Sequence, residues 1–157
     1  MSAPIFEPLG QELTQAGGRV SESHGVLVCV LEPDQLLPVV AHLKAAHAFD
    51  VFLDVTAVDW PERSLRFEVV HHFYSTTHKV RVCLKTHVPE SAPHVPTLRS
   101  LYGSAGYMER ECHDMYGIKF DGNDDLRPIL LYEGFEGHPL RKDYPKQFEQ
   151  PLVPYRF

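Results

Sequence analysis

Leu65-Arg66-Phe67-Glu68-Val69-Val70-His71-His72-Phe73-Tyr74, Ser75-Thr76-Thr77-His78 and Lys79-Val80-Arg81-Val82-Cys83-Leu84-Lys85-Thr86 form two alternating segments around a four-residue polar link. Successive side chains of a strand point to opposite faces. Leu65, Phe67, Val69, His71 and Phe73 therefore share one face, and Arg66, Glu68, Val70, His72 and Tyr74 the other. In the second segment Val80, Val82 and Leu84 stand opposite Lys79, Arg81 and Lys85. A link this short joins antiparallel neighbours, so the pair reads as a β-hairpin. Its polar face would bring Arg66 and Glu68 near Arg81 and Lys85 as cross-strand partners.

Upstream, residues 5–16 read as a helix stopped by Gly17-Gly18. Val26 to Leu31 is an apolar run of strand type. Pro33 and Asp34 open a second helix with Leu36, Leu37, Val40 and Leu43 on its apolar side, and with Pro38 as a tolerable defect near its start. Phe49 to Trp60 reads as a strand with apolar residues on both faces, which places it centrally in a sheet. Downstream, Pro89, Pro93 and Pro96 make residues 88–96 a loop, followed by a short helix around 97–102. Gly106 to Tyr116 is a helix with Met108, Cys112 and Met115 on one stripe, and Gly117 ends it. Together these elements predict an α+β fold: a two-layer domain with a mixed β-sheet and helices packed on one side of it.

The chain has 157 residues, 43% of them hydrophobic and 23% charged, which suits one domain of ordinary globular composition. No run approaches the roughly 20 apolar residues of a membrane helix. Met1 to Gly10 carries neither a basic start nor an apolar segment, so no signal peptide is read there. Cys29, Cys83 and Cys112 are far apart and form no CxxC pair, which argues against a ribbon-type zinc site or a cysteine-held cluster. The net charge of −6 is uneven. Residues 1–60 hold two basic side chains, Arg19 and Lys44, against eight acidic ones, whereas residues 61–157 hold 13 of each sign. Neither half has the basic excess of a nucleic-acid binder, and no glycine-rich phosphate loop is present.

The candidate chemistry is sparse. His71 and His72 are neighbours on a strand and point apart, and Cys112, His113 and Asp114 fan out around a helix. Glu109 and His113 face one way, with His138 as their one potential companion, so no metal site is assigned. Glu109, Arg110, Glu111 and Asp114 form a charged patch in which Arg110 and Asp114 are spaced to pair. That patch is either a solvated helix face or a holder for downstream Arg127, Arg141 and Lys142. An acid–base enzyme using Glu109, Glu111, Asp114 and His138 would need those groups to converge on one substrate.

Residues 117–157 hold five prolines, four glycines and seven aromatic residues, with Ile129-Leu130-Leu131-Tyr132 as the one strand-like run. Such a segment is too long for an ordinary loop and too aromatic for a disordered tail. The division expected is a globular domain over 1–117 and an extended, aromatic arm over 118–157 that contacts other subunits and orders on their surface.

The stretch Glu109-Arg110-Glu111-Cys112-His113-Asp114-Met115-Tyr116-Gly117-Ile118-Lys119-Phe120 is followed by Asp125-Leu126-Arg127, Ile129-Leu130-Leu131 and then Glu136-Gly137-His138-Pro139-Leu140-Arg141-Lys142-Asp143-Tyr144-Pro145. With Leu53 to Trp60 and Phe67 to Ser75, these resemble the C subunits of the proton-pumping NADH-quinone oxidoreductase, respiratory complex I. Asn123-Asp124 stand where that family usually has a His-Pro turn, and Pro128 where it usually has arginine. The resemblance implies a non-catalytic subunit of the peripheral arm, on the cytoplasmic face of a bacterial inner membrane, supporting the quinone-pocket subunit and neighbouring iron–sulfur subunits. It implies no cofactor in this chain, with FMN and iron–sulfur clusters held by partners. It also makes Glu109, Arg110, Glu111, Asp114, Arg127, Gly137, His138, Pro139, Arg141, Lys142, Asp143, Tyr144 and Pro145 candidate interface residues. The equivalent subunit of a membrane-bound hydrogenase-type complex is the related alternative.

Overall fold

In the computed structural model, which describes residues 5–148 and 150, the chain runs α1 (Phe6–Gln15), β1 (Arg19–Ser23), β2 (Val26–Leu31), α2 (Pro33–His47), β3 (Val51–Asp59), β4 (Phe67–Ser75), β5 (Val80–Val88), β6 (His94–Pro96), α3 (Ala105–Tyr116) and β7 (Lys119–Asp121). The hairpin forms as its alternation dictates: β4 pairs antiparallel with β5 from Phe67↔Val88 to Ser75↔Val80. A mixed sheet of order β1-β2-β5-β4-β3 grows around it, with β2 and β5 parallel and the other pairs antiparallel.

Register sets the core. Cys29, Leu84, His71 and Val55 are partners in one row across four strands, and all four are buried. Leu27, Val82, Phe73 and Phe52 make the next row on the same face. Phe6, Leu9 and Leu13 of α1, Leu36, Val39, Val40 and Leu43 of α2, and Ala105 and Cys112 of α3 join the same core. Each helix thus buries an apolar stripe against the sheet, and this burial is the main favourable contribution to folding.

Two helix ends follow their sequence signals. Glu32 N–H donates to Gln35 Oε1 (2.9 Å) just ahead of Pro33, which occupies the first helical position. Gly17 adopts a φ of 92° and Gly18 N–H reaches Leu13 O at 2.9 Å, closing α1.

Several expectations need correction. β3 is an edge strand, not a central one. Its mixed period comes from a register shift between Phe52 and Asp54, where Leu53 bulges out, and α3 packs against it. Residues 88–96 are not all loop, because β6 pairs in parallel with β7 in a second, two-stranded sheet. Residues 97–102 form turns rather than a helix. On α2 the core residue is Val39 rather than Leu37, which is 37% exposed, since Leu37 lies about 100° off the Leu36–Val40–Leu43 stripe. Glu68 does meet Lys85 (2.7 Å), but Arg66 turns to other partners. The run Ile129–Tyr132 is not a strand. Ile118 and Phe120, the first residues assigned to the arm, are buried in the core. The arm residues 149 and 151–157 lie outside the described residues.

Candidate subunit interface

The last four carbonyls of a helix lack partners within it. In α3 all four are taken. His113 O accepts Gly117 N–H (2.7 Å), Asp114 O accepts His138 Nδ1–H (2.9 Å), Met115 O accepts Leu140 N–H (3.1 Å) and Tyr116 O accepts Arg141 Nε–H (2.7 Å). The run Gly137 to Arg141 is therefore a cap built from a distant piece of chain, and it sets the Arg141 cation at the negative end of the helix dipole. Gly117 makes this approach possible. Its φ is 75°, and a Cβ there would collide with the His138 and Arg141 side chains.

Beyond the cap the chain reaches the far end of β3. Arg66 is 6% exposed and grips Asp59 with two bonds, Nε to Oδ1 at 2.7 Å and Nη2 to Oδ2 at 2.9 Å. Its terminal nitrogens also meet Glu90 (2.7 Å) and Asp143 (2.9 Å). Asp59 Oδ2 also accepts the Lys142 N–H at 2.8 Å. Hydrogen bonding to Arg66, with smaller help from Lys142 N–H, holds the Asp59 carboxyl below the usual range, and Arg66 likewise lowers Asp143. Trp60 meets two cations: the Arg63 guanidinium is 3.9 Å from its ring centroid and Lys142 Nζ is 5.1 Å away.

The outer face of α3 holds the start of the arm. Arg110 donates to Arg127 O and Pro128 O, both at 2.8 Å. Asp114 Oδ2 accepts the backbone N–H groups of Ile129 (2.8 Å), Leu130 (3.0 Å) and Leu131 (3.3 Å). This anion nest explains why that apolar run is no strand: its amides are committed to a carboxylate, not a ladder. Arg110 and Asp114 do not pair with each other; each holds the arm.

Glu109 faces inward. Oε1 accepts Leu98 N–H (2.8 Å), and Oε2 accepts Thr97 Oγ1 (2.7 Å) and Asn123 Nδ2 (2.9 Å). Burial pushes its pKa up against those three donors. It fixes the turn before α3 and the turn after β7, and it is not available to a partner.

The other candidates are distributed as follows. Glu111 is exposed, and Arg127 pairs with Asp125 (2.7 Å) on the surface. Tyr144 stacks on Phe135 at 6.2 Å and meets Phe148 edge-on, with Pro139 half-buried and Pro145 exposed beside it. A cavity of about 160 Å³ under the arm is lined by Asp114, His113 and His138 but not by Glu109 or Glu111. The four groups of the acid–base reading therefore share no pocket there. Beside its charged side chains the arm turns outward a set of apolar ones: Ile129, Leu130, Tyr132, Leu140 and Phe148 are 36–61% exposed.

Sequence reasoning did not single out Asp59 and Arg66. The alternation put Arg66 on the polar face, and an acidic residue at the end of the neighbouring strand was the available hint. It also passed over Glu12, His42 and His47, since two histidines five apart on a helix match no ligand pattern.

Residues 29–150 match the family model described as "Respiratory-chain NADH dehydrogenase, 30 Kd subunit". The C subunit of a NADH-quinone oxidoreductase from Erythrobacter litoralis is 44% identical over 124 residues, 79% of this chain and 49% of that protein. One of the C subunits from Rhizobium meliloti is 41% identical over 145 residues, 88% of this chain and 79% of that protein. The chain thus spans from about half to about four fifths of these relatives. Among solved structures, a trypsin-resistant fragment of Nqo5 superposes with a TM-score of 0.71 at 31% identity, over 77% of this chain and 98% of that one. A chain of an archaeal membrane-bound sulfane sulfur reductase shares the fold, with a TM-score of 0.78 at 22% identity, over 96% and 98% of the two chains.

Proposed function

Because the chain belongs to the 30 kDa subunit family of respiratory-chain NADH dehydrogenase, we propose that it is a structural, non-catalytic subunit of the peripheral arm of an NADH:quinone oxidoreductase. The assembled enzyme passes electrons from NADH through FMN and iron–sulfur clusters in partner subunits to quinone, coupled to proton translocation. This chain holds no cofactor; it braces the subunit that forms the quinone pocket and neighbouring iron–sulfur subunits. No helix among the described residues is long and apolar enough to cross a membrane. In this reading the chain meets the membrane through the complex, on its cytoplasmic face.

One observation carries this reading: backbone N–H groups of the arm and its His138 and Arg141 side chains are bonded to the chain's own α3 and to Asp59, while Ile129, Leu130, Tyr132, Leu140 and Phe148 are exposed. Exposed apolar residues gathered on one segment mark an interaction surface, and aromatic anchors supply its energy. The arm comes to its partner already shaped, which lowers the ordering cost of assembly.

The test is purification of the tagged chain from native membranes in mild detergent, with partners identified by mass spectrometry. Recovery with flavoprotein, iron–sulfur and proton-channel subunits supports the proposal. Recovery with nickel-hydrogenase subunits transfers the chain to that sister complex, and recovery alone as a monomer overturns the structural role.

A further inference from the structure

Far from the arm, α1 meets α2 through three side chains. His42 Nε2 and His47 Nε2 both lie against the same oxygen of Glu12, Oε2, at 2.8 and 2.7 Å. The three atoms fall within 4.8 Å of one another. The two rings stand edge to face, with centroids 5.2 Å apart and planes at 75°, so their nitrogens approach the oxygen from different directions. Residues five apart diverge by about 140° on an ideal helix, so this convergence is not a by-product of helical spacing. It depends on α1 placing a carboxylate between them.

We propose that Glu12, His42 and His47 are a binding site for a divalent transition-metal ion of the zinc type, clasping α1 to the C-terminal half of α2. Two imidazoles and one carboxylate are a donor set that zinc takes readily, with a fourth position left for water. Zinc bonds of about 2.0–2.1 Å set tetrahedral ligand atoms roughly 3.3 Å apart. The two nitrogen–oxygen sides at Glu12 Oε2, 2.8 and 2.7 Å, reach that by opening about half an ångström, and the two nitrogens already lie within 4.8 Å of each other. The His42 side chain is 56% exposed and Glu12 42%, so an ion can enter, while His47 at 16% gives a fixed wall.

The surroundings favour a cation. The Glu12 carboxylate is ionised at neutral pH and accepts from both imidazoles. Residues 1–60 carry eight acidic side chains against two basic ones. A cavity of about 280 Å³ between the helices adjoins the site, with apolar walls at Leu9, Leu13 and Val39 and the Asp34 carboxylate among its lining. The bound ion would supply a cross-link that this side-chain cluster otherwise makes with hydrogen bonds alone.

The experiment is a titration of the full chain with Zn2+ against a chromophoric chelator, together with its melting temperature with and without Zn2+. Expected are one equivalent bound and a higher midpoint, because an ion that binds the folded state shifts unfolding. Glu12→Gln and His42→Ala should each weaken binding at least about tenfold, the loss that removing even a supporting group of a metal site causes. Both substitutions are on exposed side chains, and circular dichroism confirms that the variants remain folded. Absence of binding by the wild-type chain overturns the proposal. So does unchanged affinity in the His42→Ala/His47→Ala double variant, which would put the ion on other histidines.

Discussion

His71 sits in the centre of the sheet, 1% exposed, in the row with Cys29, Leu84 and Val55. Burial pulls its pKa from 6.5 down to about 3, so the folded chain keeps the ring neutral where the unfolded chain protonates it. The unfolded state therefore binds more protons between these two values, and stability must fall as pH drops through that window. Each such group contributes up to about 1.4 kcal/mol per pH unit. A His71→Phe variant should flatten the urea-unfolding free energy between pH 6 and pH 4 by that amount, and an unchanged slope would show that His71 does not stay neutral. Glu109 is the opposite case, a carboxylate kept inside by three donors. Its truncation strands Leu98 N–H in the interior, so Glu109→Ala should cost about 3 kcal/mol in thermal unfolding.

At the scale of elements, the closure of α3 is what joins the arm to the domain. The His138 and Arg141 side chains each satisfy one helix carbonyl, and each such bond contributes about 1 kcal/mol. Replacing both with alanine should lower the melting temperature by several degrees and speed amide exchange chiefly over residues 129–142 and the last turn of α3. Uniform acceleration through β4 and β5 would mean that the arm and the sheet unfold together. The Asp59–Arg66 pair makes a sharper contrast. Asp59→Ala leaves a buried guanidinium short of its bidentate partner and should cost about 3–5 kcal/mol. Asp143, 58% exposed, is a surface partner of the same arginine, and Asp143→Ala should cost less than about 1 kcal/mol. Which of these features was legible follows from their chemistry. The β4–β5 hairpin and α3 announce themselves through side-chain periodicity and Gly117. The edge position of β3 was hidden because the bulge at Leu53 scrambles its alternation. The self-docking of the arm was hidden because its acceptors are backbone carbonyls, which no residue identity marks. The role of Arg110 and Asp114 as holders of the arm was half visible, since their charge was read correctly and their partners were not.

For the whole molecule, two kinds of residue in the arm have to be separated: those that fix it to its own domain and those that the proposed function assigns to contact with another subunit. Within the motif Glu136 to Pro145 the His138 and Arg141 side chains and the Lys142 N–H turn inward, whereas Glu136, Lys142 and Asp143 present exposed side chains. Substituting His138 or Arg141 acts on the arm's shape first, and on any assembly only through it. The outward set is different in kind. Leu130 is 61% exposed and Leu140 52%, so their side chains contribute little to the isolated fold. A Leu130→Asp/Leu140→Asp double variant should therefore melt within about 1 kcal/mol of the wild type, since surface changes seldom cost more. In the complex the same charges would be buried without partners, and each lost apolar anchor removes about 1–2 kcal/mol or more of binding. The variant should be recovered folded but free of the respiratory complex, as read by native gel electrophoresis of detergent-solubilised membranes. If it assembled normally, the docking surface would have to lie elsewhere, and the half-buried valines of β2 on the face of the sheet away from the helices would become the next surface to test. If it failed to fold, the arm would be a structural clasp in its own right and not a preformed contact, which a large loss of melting temperature in the His138→Ala/Arg141→Ala variant would show independently.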